Sequence, residues 1–327
     1  MGTQAASTSS RIPVGISACL MGQTVRFNGG HKRSRFCTDV LSEYFEFRPV
    51  CPEVAIGMGT PREPIRLVSE LPDDDAPVRA VGTDNPDLDV TDELTLFARK
   101  SSDNMQDLCG FIFMQKSPSC GLFGVKRYLP NGHPEGKASG IFAAEFARLN
   151  PLLPMEEAGR LSDVHLRENF MVRVYAYRDF QLFRREGISR AGLISFHSRY
   201  KYLVMAHSQT GYKAMGRLLA DMSGDIEQIA DEYFTLLMTS LARPASRKMH
   251  TNTLMHLQGY LKNWLTGSDK SELTNLILEY RRGIIPLVVP LTLLKHHLNH
   301  HEEVHEYARQ QVYLNPHPYE LGLRNQL

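Results

Sequence analysis

Residues 12–19 read IPVGISAC, a short apolar run that is rich in β-forming residues and ends at a cysteine. Residues 47–51 (FRPVC) and residues 109–120 (CGFIFMQKSPSC) follow the same plan. If these runs are parallel strands of one α/β sheet, their carboxyl ends lie along a single edge, where such sheets bind their ligands. The pattern therefore predicts that three cysteines far apart in the sequence meet at one site.

These three cysteines, Cys19, Cys51 and Cys120, form a donor set that suits a soft metal. Three thiolates leave the fourth position of a tetrahedral or cubane site open for a substrate. The other two cysteines, Cys37 and Cys109, lie at the start of a predicted helix and at the head of a strand. We interpret both as packed thiols outside the site, because free cysteine is among the most buried residue types.

Two of the cysteine turns also carry polar side chains of the kind that transfer protons. Glu53 comes two residues after Cys51 and is expected in the same crevice. Ser117 and Ser119 flank a proline immediately before Cys120. A Ser-Pro turn by itself is ordinary. Three cysteine-bearing turns with such partners, however, indicate a functional site more than a packing arrangement.

The pattern along the chain predicts an α/β domain with a parallel sheet over residues 11–186 and an all-α helical bundle over residues 187–327. Residues 1–10 are rich in Ser and Thr and are predicted to be a disordered tail. The predicted strands cover residues 13–18, 46–50 and 110–115. The predicted helices cover residues 36–45, 90–108, 139–149 and 162–186 in the first domain, and 193–219, 225–241, 252–264, 270–281 and 290–313 in the second. Residues 69–89 are acidic and contain proline, which predicts an exposed loop.

The composition narrows the class of protein. A chain of 327 residues fits about two domains, and five cysteines without paired spacing argue against a disulfide scaffold. The amino-terminal segment lacks the apolar region of a signal peptide. The longest apolar stretch, residues 283–294, is too short to span a bilayer and contains two prolines. We therefore expect a soluble protein of the reducing cytoplasm.

The second half of the chain is mildly basic, with 20 Lys and Arg against 16 Asp and Glu over residues 161–327. These cations could form a phosphate-binding face or a scattered, solubilising surface. The run KHHLNHHEEVH places His297, His301 and His305 at the helical spacing of metal ligands. A solvated polar helix is the simpler explanation, because three such positions with flanking glutamates also arise on a plain surface.

Three motifs in the first domain resemble the signature of the thiouracil desulfidase (TudS) family. They are SACLMG with VRFNGGHK, then CPEVAIGMGTPREP, and then KSPSCG, and the similarity spans roughly residues 11–183. The segments HSRYKYLVMAHS, GYLKNWL, EYRRGIIPLVVPLTLLKHH and NPHPYELGLRNQ resemble a helical domain often fused to it. The combination is similar to the two-domain tRNA 4-thiouridine desulfidases (the RudS type).

The resemblance implies a cofactor and roles for individual residues. Cys19, Cys51 and Cys120 would hold a [4Fe-4S] cluster with one iron that has no protein ligand. Glu53 and Ser117 would be the catalytic residues, with Ser119 as a neighbouring polar group, and the helical domain would bind tRNA. The implied reaction converts 4-thiouridine in tRNA to uridine and hydrosulfide without net redox change. An open iron suits this chemistry because the sulfur of a thiocarbonyl is a soft ligand.

Three alternatives remain open from the sequence. The protein could desulfurate free 2-thiouracil or thionucleotides, with the bundle serving only for oligomerisation. It could be a non-catalytic, cluster-bearing sensor whose helical domain contacts nucleic acid. The three cysteines could also hold zinc instead of iron.

Overall fold

The computed structural model describes residues 11–70, 76–300 and 306–327. The predicted tail at residues 1–10 therefore lies outside the described residues. The chain divides into two compact units, Met1–Ser162 and Asp163–Leu327. No helix within the described residues is both long and apolar enough to cross a membrane.

Every strand that the described residues form belongs to the first unit. In chain order they are β1 (Ile12–Ser17), β2 (Phe45–Val50), β3 (Ile65–Ser69), β4 (Val78–Gly82), β5 (Phe111–Phe113), β6 (Val125–Tyr128), β7 (Pro134–Ala138) and β8 (Met155–Glu157). They form two four-stranded sheets, with the orders β2-β1-β5-β8 and β4-β3-β6-β7.

Parallel pairing throughout the first sheet places β1 between β2 and β5. All four strands therefore point the same way, and the three predicted strands lie side by side. The sequence prediction of an α/β fold with the cysteines at the carboxyl ends of parallel strands is confirmed. Gly15 on β1 is required at this crossing, because a Cβ there would lie 2.2 Å from the ring of Phe111.

The second sheet is the part of the unit that the sequence prediction missed. It is mixed: β3 pairs antiparallel with β4 and parallel with β6, and β6 pairs antiparallel with β7. The predicted exposed loop at residues 69–89 is therefore wrong over β4, whose Ala80 and Val81 are buried. The acidic, proline-bearing flanks of β4 hid a strand of only five residues.

The helices of the first unit are α1 (Pro52–Ala55), α2 (Thr91–Asn104) and α3 (Ile141–Leu149). The predicted helix at residues 36–45 is instead a π-helical turn at Phe36–Val40 and a 3₁₀ turn at Leu41–Glu43. The main core lies between the first sheet and α3, where four buried phenylalanines stack. They are Phe111, Phe113, Phe142 and Phe146.

The second unit is helical in every long element that is described. In chain order these are α4 (Val164–Arg185), α5 (Arg190–His207), α6 (Gln209–Ala220), α7 (Ile226–Leu241), α8 (Arg247–Gln258), α9 (Gly267–Arg282), α10 (Val288–His300) and α11 (Glu306–Arg309). The single helix predicted over residues 193–219 is two helices. The break falls at Ser208, whose extended backbone and Oγ cap α6 by accepting a hydrogen bond from the Gly211 N–H at 2.9 Å.

The boundary between the units lies at Ser162–Asp163, earlier than the predicted start of the second domain at residue 187. Helix α4 belongs to the second unit because its apolar face packs on α7. The rings of Phe180 and Phe234 stack with centroids 4.6 Å apart, and the Asn169 side chain donates to the carbonyl of Leu241 at 2.9 Å. Helical periodicity shows that α4 has an apolar face, but it does not show what covers that face.

A buried ion pair fastens the carboxyl-terminal segment to α4. Arg324 Nε donates to Glu168 Oε1 at 3.1 Å, and Arg324 Nη1 donates to the carbonyl of Tyr313 at 2.6 Å. Both charged side chains are less than a tenth exposed. Burial raises the pKa of Glu168, but the neighbouring His317, whose Nε2 lies 3.7 Å from Glu168 Oε1, and the charge of Arg324 lower it by more, so the carboxyl pKa lies well below its usual range.

We predict that Arg324→Met destabilises the second unit by about 3–5 kcal/mol, because it leaves the Glu168 carboxylate buried without its partner. Urea unfolding followed by the fluorescence of Trp264, the one tryptophan of the sequence, reports on this unit. Lys270→Met, an exposed cation of the same unit, is the matched control and should shift the midpoint far less. Equal midpoints for the two variants would contradict the role of the ion pair.

Candidate active site

Three loops that leave the carboxyl ends of β1, β2 and β5 enclose one cavity of about 600 Å³. Cys19 lies in a 3₁₀ turn directly after β1, Cys51 follows β2 immediately, and Cys120 ends the loop after β5. All three side chains line the cavity. Adjacent parallel strands thus bring together residues that are up to 101 positions apart in the sequence (120 − 19).

The three thiols share a buried environment. Burial raises the pKa of Cys19 to about 11, and the nearby Cys51 thiol adds to this effect. Burial also raises the pKa of Cys51 and that of Cys120, and the pKa of the Cys120 thiol is raised further by Glu53 and Cys51. Cys51 thus affects the pKa of both other thiols, in keeping with their common position in the lining of the cavity. Thiolates are the metal-binding form of cysteine, so binding of a metal would displace these protons.

The donor set fits a multi-iron cluster. Within the described part of the chain, no three His, Cys, Asp or Glu side chains converge as ligands of a single metal ion. An iron–sulfur cubane does not need such convergence, because each of its cysteine ligands binds a different iron. Three thiols from three separate turns that line a common cavity suit such a cluster.

Cys37 and Cys109 are placed differently. Both are buried, with 0% and 4% exposure, and neither is among the described residues that line the cavity. Cys37 is in the π-helical turn, and the backbone N–H of Cys109 donates to the carbonyl of Pro13 at 2.9 Å. Their positions match the interpretation that they are packing residues.

Glu53, in the first turn of α1, lines the cavity and is fixed by an ion pair. Arg62 donates from both Nε, at 2.7 Å, and Nη2 to the same oxygen, Glu53 Oε2. Only 5% of the Arg62 side chain and 12% of the Glu53 side chain are exposed. A further hydrogen bond, from Arg62 Nη1 to the carbonyl of Gly59 at 2.9 Å, fixes the guanidinium in turn. Glu53 Oε1 is therefore free to face the loop after β5 that carries Ser117 and Ser119, which we call the serine loop.

A chain of hydroxyl groups leads to that second oxygen. Ser119 Oγ donates to Glu53 Oε1 at 2.5 Å, and Ser117 Oγ lies 3.0 Å from Ser119 Oγ. Ser117 Oγ also accepts the backbone N–H groups of Ser119 and Cys120, at 3.3 and 3.1 Å. With the Ser119 proton directed at Glu53 and its oxygen free to accept, the hydrogen bonds run from Ser117 through Ser119 to Glu53. Ser119, which the sequence suggested only as a neighbour, is the residue in direct contact with Glu53.

The loop that carries both serines is held in an unusual conformation. Lys116 has a φ of 60°, the left-handed region that non-glycine residues rarely adopt. The close packing of the loop leaves no room for a side chain at Gly140, where a Cβ would lie 2.7 Å from the backbone of Ser119. Strained backbone of this kind is concentrated at functional sites.

Helix α3 anchors the same loop. The N-cap of this helix is Gly140, and no side chain caps it. The Ser139 hydroxyl instead donates to the carbonyl of Leu122. The free N–H groups of the first turn donate to the carbonyls of Pro118, at 3.0 Å, and Ser119, at 3.1 Å. The amino-terminal end of the helix therefore contacts the serine loop and fixes its position.

The lining of the cavity is strongly cationic. Its charged residues are Arg26, Lys32, Arg33, Arg62, Lys116 and Glu53. Arg62 is paired with Glu53 and Arg33 with Asp39. The guanidinium of Arg26 lies 5.5 Å from the ring centroid of Phe27, an exposed aromatic residue that also lines the cavity. Cations beside an exposed ring are the groups that bind a phosphate and a planar base.

Comparison with known proteins agrees with this geometry. Residues 14–158 match the family model described as 2-thiouracil desulfurase. The chain is also 30% identical over 134 residues to the uncharacterized protein YbbK of Bacillus subtilis (strain 168), covering 39% of this chain and 85% of that protein. The chain belongs to the 2-thiouracil desulfurase family.

A second family model and two further proteins also match this desulfurase-family chain. Residues 201–318 match a model described as a protein of unknown function (DUF1722). The chain is 33% identical over 133 residues to the uncharacterized protein YbgA of Escherichia coli (strain K12), covering 40% of this chain and 79% of that protein. A solved structure named as a [4Fe-4S]-dependent thiouracil desulfidase, TudS, is 30% identical, with 46% of this chain and 94% of that chain covered and a TM-score of 0.37.

Sequence reasoning missed Arg62. The residue is visible in the segment GMGTPREP, nine positions after Glu53, but its spacing gives no sign that the loop folds back onto the carboxylate. An arginine soon after a Cys-Pro-Glu turn is the available signal, because a buried carboxylate requires a partner. The histidine run was a separate prediction: His297 lies in α10, whereas His301 and His305 lie outside the described residues.

Proposed function

We propose that this desulfurase-family protein removes sulfur from thiolated uracil, specifically from 4-thiouridine in tRNA, yielding uridine and hydrosulfide. One observation carries the proposal. Three thiols and the hydrogen-bonded chain Ser117–Ser119–Glu53 line the same cavity. A soft-metal donor set and a proton-transfer chain at one point are the two components that exchange of a C=S bond for a C=O bond requires.

Cys19, Cys51 and Cys120 would hold the [4Fe-4S] cluster. When bound, such a cluster supplies an iron without a protein ligand, which acts as a soft Lewis acid toward a thiocarbonyl sulfur. The reaction consumes one water and releases hydrosulfide and a proton. The C=S bond breaks, a C=O bond forms, and neither carbon nor sulfur changes its oxidation state.

Proton movement is the task of the protein side chains. Glu53 Oε1 is in position to accept a proton, because Arg62 holds the other carboxylate oxygen. Ser119 connects this oxygen to Ser117, whose hydroxyl also lines the cavity. The chain of hydroxyls can pass a proton between Glu53 and a group in the cavity without movement of the backbone.

The cationic lining supports a substrate with phosphate groups. Arg26, Lys32 and Lys116 line the cavity, and none of them forms an ion pair with a described carboxylate. A free base carries no phosphate that would use these charges. The lining therefore favours a nucleotide or a nucleic acid over free thiouracil.

A basic patch on the second unit supports binding of tRNA. Arg281 and Arg282 end α9, and Arg247 and Lys248 begin α8. The two ends meet at Gly283: a Cβ at this glycine would lie 2.8 Å from Arg247 Nη1. All four cations are exposed. Clustered exposed cations are the usual contacts for nucleic-acid phosphates.

The proposed activity is tested with anaerobically reconstituted full-length protein and bulk bacterial tRNA. After digestion to nucleosides, 4-thiouridine should fall while hydrosulfide accumulates in equal amount. If another thionucleoside falls instead, that nucleoside is the substrate and the assignment to 4-thiouridine is wrong. Turnover of free thiouracil with no change in any tRNA thionucleoside would overturn the assignment to tRNA.

We predict that Cys19→Ala, Cys51→Ala and Cys120→Ala each abolish cluster retention, whereas Cys37→Ala and Cys109→Ala do not. The first three thiols line the cavity, and the last two are buried elsewhere. Iron and sulfide content and the visible absorption of each folded variant provide the measurement. A Cys51→Ala protein with full iron content would refute the ligand assignment.

We predict that Glu53→Gln, Ser117→Ala and Ser119→Ala retain the cluster but lose turnover by roughly 10²–10⁴-fold, the usual contribution of a positioned proton-transfer group. Ser119→Ala should lower the turnover rate at least as much as Ser117→Ala, because it removes the hydroxyl that connects Ser117 to Glu53. Single-turnover rates at equal iron content test this. Wild-type rates in Ser119→Ala would exclude the hydroxyl chain as the proton path.

We predict that charge reversal of Arg281 with Arg282, or of Arg247 with Lys248, weakens tRNA binding and makes it less dependent on salt. The slope of log affinity against log salt should fall by about one for each phosphate that the variant no longer binds. Reversal of Lys100, an exposed cation of the first unit on α2, is the control. Unchanged affinity in both double variants would show that the basic patch does not contact tRNA.

A further inference from the structure

Four tyrosines of the second unit surround one lysine, and we call these five residues the tyrosine–lysine cluster. Lys201 and Tyr202 lie on α5, Tyr212 on α6, Tyr260 in the 3₁₀ turn after α8, and Tyr307 on α11. The Lys201 ammonium lies 5.8 Å from the ring centroids of both Tyr202 and Tyr212. The rings of Tyr260 and Tyr307 are 5.9 Å apart. Tyr202 is buried, and the other four side chains are half-buried and reach solvent.

Hydrogen bonding within the cluster leaves phenol protons unused. The Tyr202 hydroxyl donates to the Tyr260 oxygen at 3.0 Å, so Tyr260 retains its own proton for another acceptor. The Lys201 ammonium has no acceptor capacity, so it cannot take the phenol protons of Tyr212 or Tyr307. Across residues 11–70, 76–300 and 306–327, no acceptor takes the remaining protons of Tyr212, Tyr260 and Tyr307.

The cluster also carries a positive charge that the described carboxylates leave unbalanced. Burial lowers the pKa of Lys201, but the phenol groups of Tyr307, Tyr212 and Tyr260 raise it by more, so the ammonium is charged at neutral pH. Among the described residues, Lys201 forms no ion pair with a carboxylate, unlike Arg184, His317 and Arg324 of the same unit. One ammonium and three outward O–H donors complement an anion with several acceptor oxygens.

We propose that the tyrosine–lysine cluster binds a backbone phosphate of the RNA substrate, and this inference rests on the proposed function. A phosphate offers the acceptor oxygens that the three hydroxyls lack, and lysine and tyrosine are both common phosphate contacts. The cluster lies on elements other than the basic patch, whose residues belong to α8 and α9. It therefore adds a second point of attachment within the unit.

Helix α6 extends this surface. Its exposed face carries Lys213 and Arg217, which line a shallow groove together with Thr210 and Gly216. No described atom lies within 4 Å of a Cβ built at Gly216, so the groove is open at this point. Tyr212 of the cluster precedes Lys213 directly in the chain. Cations in an open groove beside the cluster suit the next phosphates of the same strand.

The test uses two full-length variants. The first combines Tyr212→Phe, Tyr260→Phe and Tyr307→Phe, which removes the three hydroxyl donors and keeps every ring. The second adds Lys201→Gln, which removes the charge. We expect the dissociation constant for bulk tRNA to rise about threefold in the first variant and about tenfold in the second. We also expect the second variant to lose about one unit of salt slope. Filter binding over a range of salt concentrations measures both quantities.

The control combines Tyr319→Phe with Lys270→Gln, an exposed phenol and an exposed cation of the same unit outside the cluster. Its affinity should stay within twofold of the unaltered protein. If the folded quadruple variant also stays within twofold, the cluster does not bind RNA. If uridine 5′-monophosphate binds the unaltered protein with an affinity that falls in the quadruple variant as much as the tRNA affinity does, the site serves a free nucleotide and the RNA assignment is overturned.

The outcome is independent of the proposed chemistry, because binding is measured without turnover. Activity of the unaltered, cluster-loaded protein on 4-thiouridine nucleoside is assayed in parallel. Equal tRNA affinities of the variants and the unaltered protein contradict the role of the tyrosine–lysine cluster. Absence of hydrosulfide release from the nucleoside contradicts the desulfidase chemistry instead.

Discussion

Parallel pairing of β1 with β2 and with β5 is the constraint on which the site depends. The backbone hydrogen bonds of these pairs align three carboxyl ends at one edge, so that three loops open into a common cavity. A slip in register would move a cysteine away from the other two. The contact of β1 with Phe111 at Gly15 and the stacked phenylalanines behind it fix the middle of the sheet. The thiols are therefore positioned by the scaffold before any metal binds.

The pair Arg62–Glu53 shows how the same edge controls a charged group. A carboxylate that is 12% exposed needs compensation for its lost hydration, and a guanidinium that donates twice to one oxygen provides it. Because one oxygen is occupied, the other has a single direction in which to accept a hydrogen bond, toward Ser119. Arg62 thus both compensates the charge of the Glu53 carboxylate and fixes its orientation. The serine loop, which holds the other end of this series of hydrogen bonds, is fixed by the strained backbone at Lys116 and by its contacts with α3.

The second unit uses buried and exposed polar groups in different ways. The buried pair Arg324–Glu168 closes the helical unit by fixing its carboxyl-terminal segment to its first helix. The half-buried phenol hydroxyls of Tyr212, Tyr260 and Tyr307, in contrast, have O–H donors that the described protein groups leave unused. These unused donors and the clustered cations are the reason why we propose a polyanionic partner for this unit and not an apolar one. Paired polar groups therefore stabilise the unit, and unpaired donors remain for the partner that we propose.

Local patterns along the chain were enough to predict the fold class and the three strands of the site, because periodicity and strand-end position are local properties. They also placed five site residues after those strands: Cys19, Cys51, Cys120, Glu53 and Ser117. They did not give the second sheet, the assignment of α4 to the second unit, the π-helical turn at Phe36–Val40, or the roles of Arg62 and Ser119. Each of these depends on what packs against a segment or on which distant loop folds back onto it. The tyrosine–lysine cluster, assembled from four separate elements, was decided in the same way. Only the tertiary structure brings such residues together, since side-chain spacing along a chain does not encode the distance between its loops.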